Sequence, residues 1–394
     1  MNTRARRRVI VAALAGVIAG VTLSHVIEPG VMVQAMTLPG GTPALRLSST
    51  APGAHPTALL AHGVTGSKET LFRYGEALAA AGFDCTLIDL PGHGDSRRVF
   101  AGRDVGFKPA EVARALGSVD VFVGHSMGAG AGARSVREAG FAPRLFIAVG
   151  ADPMLGEHGP PLLLLAGQFE EFVSPARLKA RTDARLVLSP WSDHALELLD
   201  PCLVKEAVEA ACVTVGKTPP AAPTAWLWRL AGLVLGMAGA LVLSFCLPEL
   251  PPRLAAARGV LVAAVVITTL GLTMGTWFGC VPYWHRLPLQ LVLMVVVWLA
   301  VSGVGKLGFP RWSLAALGAG SALVCVLGAA SAKPGEVAHT FLLLSLITVI
   351  TAILLADGAL LGWLAGRGGS RRDGDIAMVV FVGYAVGQWI PKFF

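Results

Sequence analysis

The stretch Gly124-His125-Ser126-Met127-Gly128 sets a serine between two glycines at the spacing of a sharp strand-to-helix turn. It follows the apolar run Val119-Asp120-Val121-Phe122-Val123 and precedes a small-residue stretch, 129–139, that reads as helix. In so tight a turn, side chains two residues to either side of the serine would clash, which is why glycine stands at both places. The hydroxyl is then exposed at the tip of a strained turn, with the N–H of Met127 beside it. The matching chemistry is nucleophilic attack on a carbonyl, provided a base takes the serine's proton. His194 is the natural base, because it follows the last apolar strand and so reaches the same sheet edge as the serine. By itself the serine pattern is common in a chain with 47 glycines, and the rest of the constellation has to support it.

A sheet must position these groups. Residues 31–215 read as alternating strands and helices, opening with a hairpin, 31–38 and 43–48, around Gly40-Gly41. Short apolar strands follow at 56–61, 85–90, 119–123, 144–149, 162–166 and 185–188. Helices are expected at 68–81, 109–116, 129–139, 175–180 and 195–213. Short apolar strands alternating with helices imply an α/β fold, a mostly parallel sheet covered on both faces.

Residues 31–215 resemble an α/β-hydrolase, a doubly wound fold, and five stretches in the family's order carry the likeness. His62-Gly63-Val64-Thr65-Gly66-Ser67-Lys68-Glu69 resembles the H-G-x loop that supplies one oxyanion donor. Asp89-Leu90-Pro91-Gly92-His93-Gly94-Asp95-Ser96 resembles the D-x-x-G-x-G-x-S turn. Residues 124–128 resemble the nucleophile elbow, Gly167-Gln168-Phe169-Glu170 the G-x-x-D loop with the acid, and Ser192-Asp193-His194 the histidine loop. The resemblance implies a serine hydrolase with Ser126 as nucleophile, His194 as base and Glu170 as the acid that orients it. The backbone N–H groups of Val64 and Met127 would meet the oxyanion. Glu170 stands where the family usually has aspartate, and its extra methylene demands a different approach to the ring. Glu171 and Asp152 are rival acids. The likeness covers about half of the chain and does not reach the apolar C-terminal region.

Several other polar residues have plainer readings. His62 holds its loop, His93 orders its turn, and His125 is an elbow side chain with no required chemistry. Asp193 is a loop hydrogen-bonder, and Ser67 a candidate helix cap. No lid is expected, since only residues 151–160 separate the strand after the elbow from the next. No metal or organic cofactor is implied, and the six cysteines show no metal-binding spacing. They read as small apolar residues. A bridge between Cys202 and Cys212 is disfavoured, because one helix through both would hold them about 15 Å apart.

The 394-residue chain is 54% apolar and 14% charged, which points to a membrane protein. Its formal net charge of +7 does not indicate a nucleic-acid partner, because residues 28–225 carry 17 Lys/Arg against 20 Asp/Glu. The basic excess lies in the hydrophobic segments and their short loops. Arg4, Arg6, Arg7 and Arg8 precede an apolar run to position 27, read as an uncleaved anchor over a cleaved signal peptide. Residues 28–215 form the hydrolase-like domain, 216–225 a Pro-rich linker, and 226–394 a region of six apolar stretches. With the N-terminus inside, the inner segments carry eleven Lys/Arg and the outer ends four. The expectation is a multi-pass protein of the bacterial cytoplasmic membrane whose hydrolase-like domain faces outward. Asp357 within an apolar stretch is read as an interfacial group, and the tryptophans as an aromatic belt. The expected activity is cleavage of carboxylic ester or lipid substrates. Acyl transfer, peptide cleavage, and a non-catalytic binding domain on a transport or sensor protein stay open as alternatives.

Overall fold

Residues 3–246, apart from positions 65, 99, 195 and 222, are described by a computed structural model. Eight strands make one sheet: β1 Val31–Leu38, β2 Thr42–Ser49, β3 Thr57–Ala61, β4 Asp84–Ile88, β5 Val121–His125, β6 Leu145–Val149, β7 Leu162–Gly167 and β8 Arg185–Ser189. Their spatial order is β1-β2-β4-β3-β5-β6-β7-β8. The pairings β1·β2 and β2·β4 are antiparallel, and all others are parallel. The parallel strands therefore end on one edge, and the loops that leave this edge carry all five sequence stretches singled out above.

Both sheet faces are buried, as parallel strands require. Alternation along β5 divides the core: Val121 and Val123 join one apolar cluster, Phe122 the other. Helices α2 (Phe72–Ala80) and α6 (Pro201–Thr214) cover the first cluster. Helices α3 (Gly102–Leu116) and α4 (Met127–Ala139) cover the second. The short α5 (Pro175–Lys179) completes that face by burying Leu178.

Two helices differ from the sequence expectation. The helix expected to begin at Pro109 begins at Gly102, with proline in its interior. Proline lacks an N–H and opens the ladder, and Ser135 of α4 bridges the gap. Its buried hydroxyl accepts from the N–H of Ala110 (3.2 Å) and donates to the carbonyl of Gly106 (2.9 Å). The single helix expected over 195–213 divides into a 3-10 turn at Leu196–Leu198 and α6. Asp200 enforces the break as the cap of α6, accepting from the N–H of Cys202 (2.7 Å), with Pro201 at the first helical position. Cys202 and Cys212 both lie on α6 as free thiols, the second buried.

Helix α1 (Thr3–Ser24) contains the one stretch among the described residues, Arg4–Ser24, long and apolar enough to cross a membrane. The first C-terminal apolar stretch is helical as α7 (Ala225–Cys246). The other five, together with Asp357, lie outside the described residues. Residues 18–236 form one compact unit. Within it Gly20 of α1 meets α7 so closely that a Cβ would stand 2.5 Å from Cα of Gly236. Arg229 of α7 is buried against Glu76 of α2, donating at 2.8 Å, and also donates to the carbonyl of Val26 at 3.0 Å.

Candidate active site

The elbow is visible in the backbone. Ser126 has φ 50° and ψ −116°, the only positive φ at a non-glycine among the described residues. Its N–H donates to the carbonyl of Val149 on β6 (2.9 Å), and its own carbonyl accepts from Ala129 and Gly130, which starts α4. The first N–H groups of α4, Met127's among them, thus project from the positive end of a helix. The loop bearing Val64 runs against the elbow: a Cβ on Gly63 would stand 2.7 Å from Nδ1 of His125 and 3.1 Å from Cβ of Ser126.

That loop is held from behind. His62 is buried and accepts from the N–H of Leu90 through Nε2 (3.1 Å), so its Nδ1 carries hydrogen and donates to the carbonyl of Gly63 (2.7 Å). Asp89, fully buried at the end of β4, accepts from the N–H of Lys68 (2.7 Å), from Lys68 Nζ (2.9 Å) and from the N–H of Asp95 (2.8 Å). Lys68 Nζ also reaches Glu69 (3.1 Å) and Asp95 (2.7 Å). Burial works against this ammonium, but Asp89 and Glu69 hold its pKa above the ordinary lysine value. The acidic groups of both loops thus serve as struts.

Across the sheet edge, the loop after β8 brings His194 to the elbow. The His194 and His125 rings lie 4.7 Å apart, and Nε2 of His125 donates to the carbonyl of His194 (3.2 Å). Burial first, then the neighbouring His194, lowers the His125 pKa to about 3, so this ring is neutral. Glu170, 6% exposed, faces Nδ1 of His194 with Oε2 at 2.8 Å and Oε1 at 3.0 Å. Its Oε1 also accepts from the N–H groups of Phe172 (2.8 Å) and Val173 (3.2 Å). Burial would raise this carboxyl, but bonds from His194, Glu197 and the Phe172 N–H outweigh it and hold the group below its ordinary value. Glu170 is therefore an anion bound to one nitrogen of His194, leaving the other for proton exchange.

The two rival acids are engaged elsewhere. Asp152 pairs with Arg177 (2.7 Å) and Arg181. Glu171 accepts from the backbone N–H of His194 (3.1 Å), not from its ring. Asp193 starts the turn after the histidine by accepting from the N–H of Leu196 (2.8 Å).

Sequence reasoning missed three neighbours of His194. The Phe172 ring packs on it at 4.5 Å, His125 flanks it, and Glu197 approaches from the rear. Ligand atoms of His125, His194 and Glu197 come within 4.8 Å of one another. Around the site, Phe169, Phe172, Trp191 and Leu196 stand exposed, all on the connections that follow β7 and β8. Between β6 and β7 residues 150–161 form neither helix nor strand.

Several solved structures are similar in fold. The esterase Rv0045c of M. tuberculosis aligns with a TM-score of 0.39 at 15% identity, covering 52% of this chain and 99% of its own. TT1662 from Thermus thermophilus aligns at 0.38 and 20% identity, covering 48% and 99%. A membrane phospholipase A described as a bacterial virulence factor aligns at 0.37 and 14% identity, covering 54% and 92%. No curated protein matches the sequence. Residues 58–269, more than half of the chain, match the alpha/beta hydrolase family, and the chain belongs to that family.

Proposed function

We propose that this protein is a membrane-anchored serine hydrolase that cleaves carboxylic esters carrying an apolar chain, through an acyl-enzyme on Ser126. One observation carries the reading: the strained Ser126 at the head of α4 shares a sheet edge with a histidine whose Nδ1 is bound to a buried carboxylate. Strain of this kind, about 1–3 kcal/mol, persists where function requires it.

In the proposed reaction Oγ of Ser126 attacks the ester carbonyl carbon as its proton passes to the free nitrogen of His194. Glu170 balances the imidazolium that results. The negative oxygen of the tetrahedral intermediate lies against the N–H groups of Met127 and Val64, each such donor lowering the barrier by about 3 kcal/mol. The carbon–oxygen bond then breaks, and His194 returns its proton to the departing alkoxide. Water repeats the sequence on the acyl-enzyme, releasing the acid and restoring Ser126.

The apolar rim of Phe169, Phe172, Trp191 and Leu196 supports a substrate with an acyl chain. Attachment to the membrane is supported by the length and apolarity of α1 and by its close packing on α7, which favours a retained anchor over a cleaved leader. An orientation with the hydrolase domain outside the cytoplasm follows from the charge bias of the sequence alone.

A fluorophosphonate probe applied to the full chain in detergent tests the chemistry. Labelling of the wild type, lost in Ser126→Ala, and ester turnover that rises with acyl length are expected. A folded wild type that neither labels nor hydrolyses any ester would leave a binding domain as the better reading.

A further inference from the structure

Glu197 is a fully buried carboxyl that the proposed mechanism does not use. It sits on the 3-10 turn after His194, and its Oε1 accepts from the N–H of Gly167 at the end of β7 (2.6 Å). Its own backbone is pinned, the N–H to the carbonyl of Asp193 (3.1 Å) and the carbonyl by the hydroxyl of Tyr74 (2.9 Å). Its second oxygen, Oε2, is buried and meets no donor N–H or O–H among the described residues. That oxygen crowds Gly150, which has φ 58°; a Cβ there would run into it and would stand 2.9 Å from Nδ1 of His194. Glu170 holds that same Nδ1 at 2.8 Å, so the carboxyls of Glu197 and Glu170 gather at one ring nitrogen, each placed to bond the other. Two carboxylates cannot form such a bond, since both only accept; one must carry a proton.

We propose that Glu197 is a positioning residue for the active site, its neutral carboxyl donating a hydrogen bond to the Glu170 carboxylate behind His194. The inference rests on the hydrolase reading above. The proton belongs to Glu197 because Glu170 already accepts from His194 and from two backbone N–H groups, whereas Glu197 accepts from one. The titratable groups facing Glu197 are Glu170 and Glu171 from the loop after β7, His194 from the loop after β8, His125 from the end of β5, and Tyr74 from α2. Burial, then Glu170, then Glu171 push its pKa up to about 10.

The device has a clear use. Glutamate is one methylene longer than the usual aspartate, and its carboxylate needs a further anchor to meet Nδ1 squarely. A neutral partner supplies it without adding charge. A second anion behind His194 would favour the imidazolium and occupy the base before it could accept a proton. With a single shared charge, His194 keeps its tautomer and stays free to act.

The test uses the full chain in detergent with Glu197→Gln, Glu197→Leu and Glu170→Gln. The amide of Glu197→Gln keeps a donor for Glu170 and an acceptor for Gly167, but cannot ionise. At pH 7 its kcat/KM is expected within about threefold of wild type. The alkaline decline of the wild type near pH 10 should be absent from it. Glu197→Leu, without the donor, should lose about 10- to 100-fold, mainly in kcat. The wild-type infrared spectrum at pH 7 should contain a neutral-carboxyl C=O band that is missing from Glu197→Gln. The proposal is overturned if that band is absent, if Glu197→Gln is as impaired as Glu170→Gln, or if the Gln and Leu variants share rate and pH profile. The band requires no turnover. An unlabelled, inactive wild type would thus defeat the hydrolase reading, while the band still decides the carboxyl pair.

Discussion

Glu170 holds Nδ1 of His194 at 2.8 Å, although Glu171 is its neighbour in sequence and bonds the same histidine through the backbone. One residue of offset decides which acid meets the ring. Replacing Glu170 by alanine is expected to reduce kcat by about 10³- to 10⁴-fold, the scale on which such an orienting acid acts. Asp152→Ala, which removes a partner of Arg177 and Arg181, should leave turnover of a soluble ester within about threefold per folded molecule. Equal losses in the two variants would break the assignment of the acid.

Ser126→Gly should be more stable than the wild type while inactive. Glycine accepts a positive φ freely, so about 1–3 kcal/mol of strain is relieved, against about 0.5–1 kcal/mol of added chain entropy in the unfolded state. The net gain of about 1 kcal/mol raises the melting temperature of a domain this size by about 2–4 °C. Ser126→Ala keeps a Cβ at the same φ and should show no such gain. Thermal melts of the three proteins, read side by side, check the difference.

Protonation of Glu197 also leaves a mark on stability. Burial raises its carboxyl in the folded chain from 4.5 to about 10, so the folded form holds a proton that the unfolded chain releases. Its contribution is therefore fully present below about pH 4.5 and is lost as the pH climbs towards 10. The stability of wild type relative to Glu197→Gln should decline steadily across that window. Parallel stability curves for the two proteins would show that the group does not keep its proton.

Lys68 braces two loops at once through Asp89, Asp95 and Glu69. Removing its charge leaves Asp89 fully buried without its cation. Lys68→Met should cost about 3–5 kcal/mol in stability, measured by urea denaturation, and Asp89→Asn in the same background should restore part of the loss. A loss below about 1 kcal/mol would place the strut elsewhere.

The strands could be read from sequence because those from β3 to β7 are short apolar runs buried on both faces, and the structure moves the strand ends by at most two residues. Helix limits were less legible. Pro109 reads as a helix start because its missing N–H usually sits there, and only Ser135, 26 positions along the chain, makes an interior proline tolerable. The Asp200-Pro201 pair was a visible cap signal that the apolar pattern across 195–213 concealed. Within the site, Ser126 and His194 announce themselves by local pattern, whereas Glu197 cannot. Its role depends on the end of β7 and on Gly150 meeting the turn that follows His194, contacts that no spacing along the chain records.

The seam where the chain enters and leaves residues 18–236 has a further consequence. Glu28 accepts from the N–H groups of Thr224 (3.0 Å) and Ala225 (2.7 Å), while Arg229 reaches back to Val26. Entrance and exit are therefore stitched together at one spot, nearly 200 residues apart in the chain. A module with adjoining ends can be lifted out and spliced between another helix pair without stretching its backbone. Neither helix can shift at that seam without carrying the other along.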